Sequence, residues 1–304
     1  MNADRTGDVP NPSAATATAE AAGAGAIDAG VLDAGALDHG APPGGDPSRA
    51  AATRAALAKT ATVIAVHLGV VLVWQLAVDL FAIPAFVLPS PRATLATLAQ
   101  PHYAWLPNVA VTAIEIFGGY LLGVVVGVVC AVAFSWFRLI AVILLPLFVT
   151  LNMVPKVALG PLIIVWFSYG IVPNILIAFS ICFFPILLTT ARGLSEVDPD
   201  LLDLVRSLKG SRWQLFQKIQ LPGALPYLFS GMKVGAILAV AGATVGEFIA
   251  SERGLGYLMI QVQAGLDTAG MLMAVILLTL IGVVLYGLVL LLERLVVVRD
   301  ARIQ

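Results

Sequence analysis

The sequence predicts an all-α integral membrane protein with six transmembrane helices. Three observations carry that expectation. First, 60% of the 304 residues are hydrophobic and only 12% are charged, where a soluble domain has about a quarter charged. Second, the apolar residues gather into stretches near the ~20 residues needed to cross ~30 Å of hydrocarbon. Third, no segment alternates apolar and polar side chains as a membrane strand would, so helices are left to satisfy the backbone in lipid. Lys+Arg 17 against Asp+Glu 18 leaves net charge −1, and without a basic excess a nucleic-acid partner is excluded. Cys130 and Cys182 lie inside apolar runs and read as small core hydrophobes.

Residues 1–55 are rich in Ala, Gly, Pro, Asp and Ser. Seven acids there (Asp4, Asp8, Glu20, Asp28, Asp33, Asp38, Asp46) face three bases (Arg5, Arg49, Arg54). Such a segment buries too little to offset its ordering entropy, so 1–55 is expected to be a disordered cytoplasmic tail. It lacks the basic start and apolar core of a signal peptide. The membrane domain is expected over 56–298, with a short tail at 299–304.

The six stretches run from about Thr60 to Phe81, Val109 to Phe134, Leu139 to Phe167, Val172 to Thr190, Leu225 to Phe248 and Met271 to Leu292. The third is interrupted by Pro146, Pro155 and Pro161. Basic residues set the orientation. Arg54, Lys59, Arg138, Arg192, Arg206, Lys209, Arg212, Lys218, Arg294, Arg299 and Arg302 fall on one side, against Arg92 and Arg253 on the other. Both termini are therefore expected in the cytoplasm. In the opposite-side loop 82–108, Ser90-Pro91 has the pattern of a capped short helix.

The cytoplasmic loop 192–224 is the longest polar stretch after the tail. Asp198 precedes Pro199, a cap followed by a first-turn proline, and Asp200 adds a favourable negative charge there. Leu201, Leu204, Val205 and Leu208 fall at i, i+3, i+4 and i+7, one apolar stripe. Gly210-Ser211 breaks the helix. A second short one from Arg212 carries Trp213, Phe216 and Ile219, and Leu221-Pro222 is expected to stop it. So short a helix is marginal alone. It either covers the inner ends of the bundle or is presented to another protein as a helix in a groove.

These residues resemble the cytoplasmic Glu-Ala-Ala loop of binding-protein-dependent ABC importer permeases. Counting back from Ile219-Gln220-Leu221-Pro222 sets Asp203, Leu204 and Val205 at the Glu-Ala-Ala positions and Lys209 at the family glycine, with Gly210 one place on. The segments VPKVALGPLIIVWFSYGI (154–171), FFPILLTTARGL (183–194), LPGALPYLFSGMKVG (221–235) and GEFIASERGLGYLM (246–259) are similar to the subfamily handling nitrate, sulfonates, taurine and pyrimidine or vitamin precursors. The resemblance spans about 60–298.

It implies a type I ABC importer permease-like fold in a bacterial inner membrane, pairing with a second permease, and most simply a homodimer. It implies coupling through Asp203, Leu204, Val205, Arg206, Leu208, Lys209, Gly210, Ile219, Leu221 and Pro222 to a cytoplasmic ABC ATPase, and delivery of solute by a periplasmic or lipid-anchored binding protein. The chain has no G-x-x-x-x-G-K-[ST] phosphate loop. No bound cofactor is expected on it, and ATP and Mg belong to the partner; the chain itself is not expected to be an enzyme.

An ionisable group at membrane depth needs a reason. A broken helix there is tolerated where it lines a cavity or is buried in protein, so Asn152, Met153 and Lys156 are candidates for the translocation pathway. Thr244 and Glu247 are expected to face them, and Glu115 is a further candidate. His67 reads as a satisfied interior histidine. Gly119, Gly123 and Gly127, and Gly231, Gly235, Gly242 and Gly246, allow close helix packing, either within the chain or between copies. Gly254-Leu255-Gly256 marks a tight turn. An ion-coupled secondary transporter using Glu115 or Glu247 is the alternative; it predicts internal repeats, which are not apparent, and leaves the loop without a purpose. A membrane-embedded enzyme would need clustered metal ligands, which His39, His67 and His102 do not supply.

Overall fold

The computed structural model describes residues 47–297. Residues 1–46 and 298–304, and with them most of the expected tails, lie outside the described residues. The chain divides into two units, Met1–Lys59 and Thr60–Gln304. Helix α1 (Pro47–Leu80) begins within the segment expected to be a tail. From Val63 to Leu76 its large apolar side chains are largely exposed. His67 is exposed too, its ring nitrogen satisfied by the Val63 carbonyl at 2.7 Å. It is satisfied as expected but not interior, because an i–4 carbonyl is within reach on the helix surface.

A short helix α2 (Pro91–Ala96) follows, with Ser90 Oγ accepting the Ala93 N–H at 3.1 Å. Helices α3 (Trp105–Trp136), α6 (Ile171–Ser195) and α9 (Leu221–Ala250) form the core, with α11 (Thr268–Val296) packed on α9. Glycines on α3 and α9 let both approach α6. A Cβ at Gly119 would meet Ala178 Cβ at 2.5 Å, and one at Gly123 would meet Cys182 Sγ at 2.6 Å. From α9, a Cβ at Gly242 would meet Ala178 Cα at 2.7 Å and one at Gly246 would meet Asn174 Oδ1 at 2.8 Å. Both glycine sets therefore serve packing within the chain, against Ala178, Cys182 and Ile186 of the same helix.

The same pairs give directions. Gly119, Gly123 and Gly127 meet Ala178, Cys182 and Ile186 in rising order, so α3 and α6 run parallel. The chain between them must cross back. It does so in pieces: α4 (Arg138–Met153), a 3-10 turn (Lys156–Leu159) and α5 (Gly160–Phe167). A 16-residue helix reaches about 24 Å, short of ~30 Å of hydrocarbon, and the broken continuation completes the passage. Among the described residues five helices are long and apolar enough to cross as single rods; the third of the six passages is the divided one. Its prolines explain the division. Pro155 removes a backbone donor and Val154 is extended before it.

The fifth span starts earlier than the sequence predicts. Pro222 does not stop the helix from Arg212. Between α8 (Arg212–Leu215) and α9 lies a π-helical turn, Phe216–Gln220, with the Leu221 N–H on the Phe216 carbonyl. The wider turn removes the clash a proline ring makes with the carbonyl four residues back. Helical structure thus runs from Arg212 to Ile249. Helix α10 (Leu255–Ala264) caps the far end of α9.

Candidate functional site

At one end of the bundle, Asp198 Oδ1 accepts the Asp200 N–H at 2.9 Å and opens helix α7 (Pro199–Ser207). On it Leu201, Leu204 and Leu208 are 42%, 53% and 74% exposed, so the predicted stripe faces away from its own chain. Asp203 is exposed beside them, and Val205 is half-buried. The side chain of Arg206 lies outside the described residues. Past the helix, Lys209 takes the left-handed conformation at φ 55°, while the Gly210 N–H returns to the Val205 carbonyl at 2.9 Å. That is a Schellman closure, whose left-handed position usually holds glycine. Lys209 thus fills by conformation the place the resemblance gives to glycine. Gly210 is needed for space: a Cβ there would meet Val205 Cγ1 at 2.6 Å.

The next segment ties this helix to the core. Ser211 and Gln214 form a capping box at α8. Trp213 stacks on Phe216 with centroids 5.8 Å apart, and both rings meet Trp136 edge-on at the end of α3. Of the remaining residues expected to couple, Ile219 is half-buried, whereas Leu221 and Pro222 are exposed. At the end of α6, the Arg192 guanidinium beside Glu196 holds its carboxyl below the usual carboxylate value.

The broken passage has its own site. Lys156 Nζ donates to the Asn152 carbonyl at 2.8 Å and to Asn152 Oδ1 at 2.7 Å. The lysine thereby satisfies a carbonyl that the proline break frees. Both residues line a cavity of about 570 Å³ whose wall includes Cys130, Phe148, Phe179 and Phe183. The rings of Phe148 and Phe179 lie 5.8 and 5.5 Å from that of Phe183. Met153 is 78% exposed and is not among the lining residues.

Thr244, Glu115 and Glu247 do not line this cavity. Thr244 Oγ donates to its own helix at Val240 O, 2.8 Å. Glu247 is engaged elsewhere. Together with Glu115 it is buried at the α10 end, at 1% and 0% exposure. Four successive N–H groups there are held by side chains of α3 and α9. Gly254 N donates to Asn108 Oδ1 at 2.9 Å, and Leu255 N to Thr112 Oγ at 2.8 Å. Gly256 N and Tyr257 N donate to Glu247 Oε2, and Thr112 Oγ donates to Glu247 Oε1 at 2.6 Å. These are the amides a helix start leaves without intrahelical partners. Gly254, at φ 116°, lies against the Glu247 carboxylate, where a side chain would strain the backbone and collide.

The sequence reading missed Asn108, Thr112 and Asn174. A signal existed, because Asn108, Thr112 and Glu115 fall at i, i+4 and i+7 and so share a helix face. The phenylalanines of the cavity carried none, since they look like any other apolar residue of a span.

Residues 123–298 match the family "binding-protein-dependent transport system inner membrane component". A probable ABC transporter permease protein of Haemophilus influenzae is 34% identical over 71% of this chain and 88% of its own length. The riboflavin transport system permease protein of Chloroflexus aurantiacus is 35% identical over 74% of this chain and 84% of its own. The formylaminopyrimidine transport permease protein of Halalkalibacterium halodurans is 27% identical over 69% and 84%. With these relatives the secondary-transporter reading gives way: the chain belongs to the binding-protein-dependent inner membrane component family and is a permease subunit of an ABC importer.

Proposed function

We propose that two copies of this chain form the translocation pathway of a bacterial importer for a small, flat, polar heteroaromatic solute. Helix α7 is the coupling element, inserted into a cleft of a cytoplasmic ATPase that binds ATP and Mg. The α7 end then faces the cytoplasm with both termini, as the basic residues require, and the α10 end receives a substrate-binding protein. The observation that carries the reading is the exposed stripe Leu201, Leu204 and Leu208 on a helix too short to stand alone. A partner groove is what such a face needs. Movement of α7 passes to the bundle through the Trp213, Phe216 and Trp136 rings.

The solute class rests on the cavity. Its phenylalanine edges and faces suit a planar ring, and Lys156 with Asn152 supplies a polar pole. Two relatives carry riboflavin and formylaminopyrimidine in their names and two carry aliphatic sulfonates; between these classes the phenylalanine wall of the cavity favours the ring. Coupling is tested by co-purifying the ATPase with wild type and with Asp203→Arg plus Leu208→Asp. Loss of the ATPase from the double variant is expected; retention overturns the α7 assignment. Riboflavin, a formylaminopyrimidine and taurine, titrated against the partner binding protein, test the solute class, and tight binding of taurine alone refutes the ring.

A further inference from the structure

Glu115 and Glu247 are brought together in a fully buried site: Thr112, one turn before Glu115, bonds Glu247, and Asn174, which bonds Glu115, lies against Gly246 beside Glu247. Their surroundings are unequal. Glu247 accepts from Thr112 Oγ, Gly256 N and Tyr257 N, using both oxygens. Glu115 accepts one bond, from Asn174 Nδ2 to Oε1 at 2.8 Å, and its Oε2 is buried with no donor facing it. Among the described residues no lysine, arginine or histidine bonds to either group. The groups that bond to them from α3, α6 and α10 are Thr112, Asn174 and the backbone amides of Gly256 and Tyr257. Two like charges in contact without a cation cannot both persist. One proton resolves the arrangement, and the bonding says which acid holds it. On Glu115 Oε2 it turns an orphaned acceptor into a donor toward Glu247; on Glu247 it would confront the donors already there.

We infer that Glu115 carries a proton shared with Glu247, and that the resulting singly charged pair is the device that positions helix α10 on the core. Glu247 is then a positioning residue. It joins α9 to the start of α10, while Thr112 brings α3 into the same joint. The α10 end thus moves with α3 and α9 as one piece during transport. This inference stands apart from the coupling assignment, because its first two readouts need no ATPase.

The test compares Glu115→Gln with Glu247→Gln in the full chain. An amide at 115 keeps a donor facing Glu247, whereas an amide at 247 brings a donor against the α10 amides. Infrared spectra at neutral pH are expected to show a protonated-carboxyl carbonyl band that Glu115→Gln removes. Hydrogen exchange at Gly256 and Tyr257 should stay within about twofold of wild type in Glu115→Gln and accelerate about tenfold or more in Glu247→Gln, the loss expected for a bond to a charged acceptor. ATP-driven uptake in proteoliposomes should survive the first change and fall with the second. Absence of the band, its persistence in Glu115→Gln, or equal acceleration in both variants overturns the inference. If Glu247→Gln does not assemble, Glu115→Ala replaces it. That variant deletes the shared proton and should speed exchange where Glu115→Gln does not; equal exchange in the two refutes the shared proton.

Discussion

The two ends of this molecule are built on opposite plans. At the α10 end polar groups are buried against one another, with four successive amides held by Asn108, Thr112 and Glu247. At the α7 end apolar groups are exposed and unmatched, with Leu208 the barest of the stripe at 74%. Burial of a polar group costs free energy unless its partner is present, so the α10 end is complete within one chain. Exposure of an apolar stripe in water also costs free energy, and the α7 end is complete only when something covers it. The contrast locates stability at one end and assembly at the other.

The strongest break of that contrast is a charge on the stripe. Replacing Leu204 and Leu208 together by Asp should leave the folded amount of the chain unchanged, because neither side chain packs inside it. ATPase association should fall by at least about a hundredfold, on the scale of a lost hot spot of more than 2 kcal/mol. Pull-down and detergent-resistant folding, read on the same sample, check both halves. Loss of folding would show that the stripe belongs to the chain's own core.

The converse change is Thr112→Val. It deletes the donor to Glu247 and the acceptor for Leu255 N at once. A loss of about 1–3 kcal/mol per orphaned buried group is expected, read as a lower midpoint in denaturant. ATPase capture at permissive conditions should be unaffected. Loss of ATPase capture with stability intact would reverse the assignment of the two ends.

The plan of the α7 end was the more legible one in the sequence. A stripe of leucines beside Asp198-Pro199 shows its period and its cap in neighbouring residues, and the structure keeps both. The helix's departure from family spacing was legible only in part. The sequence shows Lys209 at the glycine position, but that the lysine adopts the left-handed conformation depends on backbone geometry. The α10 end was illegible for a different reason. Its bonds join residues 108, 112, 174 and 247, and local period does not reveal pairings across such separations. Charge in a span calls for a use, and the closing of a helix N-terminus, which the structure gives to Glu247, is a use that composition does not spell out. Pro222 misled for a local reason, since a π turn before it is not written in composition.

Lys209 offers a smaller change that sharpens the description of the α7 end. A left-handed backbone costs an ordinary residue about 1–2 kcal/mol, and glycine escapes that cost. Lys209→Gly is expected to stabilise the end of α7 by about 1 kcal/mol, seen as about fivefold slower amide exchange near Val205 and Gly210. Faster exchange would show that the lysine side chain itself holds the turn.

The smallest effect is assigned to Glu196, a polar pair at the α7 end set against the polar cluster at the other. Arg192 Nε and Glu196 Oε2 are 3.1 Å apart, with side chains 73% and 48% exposed. Arg192 lowers the carboxyl value of Glu196 in the folded chain. A lowered folded value contributes stability that is present above the unfolded glutamate value, about 4.3, and is lost as pH falls through the folded one. Water screens this pair on its open sides, and exposed pairs of this kind contribute little. Glu196→Gln should therefore shift the thermal midpoint by no more than about 1 °C at pH 7, and by less in a second measurement below pH 4, where the wild-type carboxylate takes up its proton. A shift at pH 7 as large as that of Thr112→Val would mean that exposed polar contacts at the α7 end carry as much of the fold as buried ones at the α10 end, and the division between the two ends would fail.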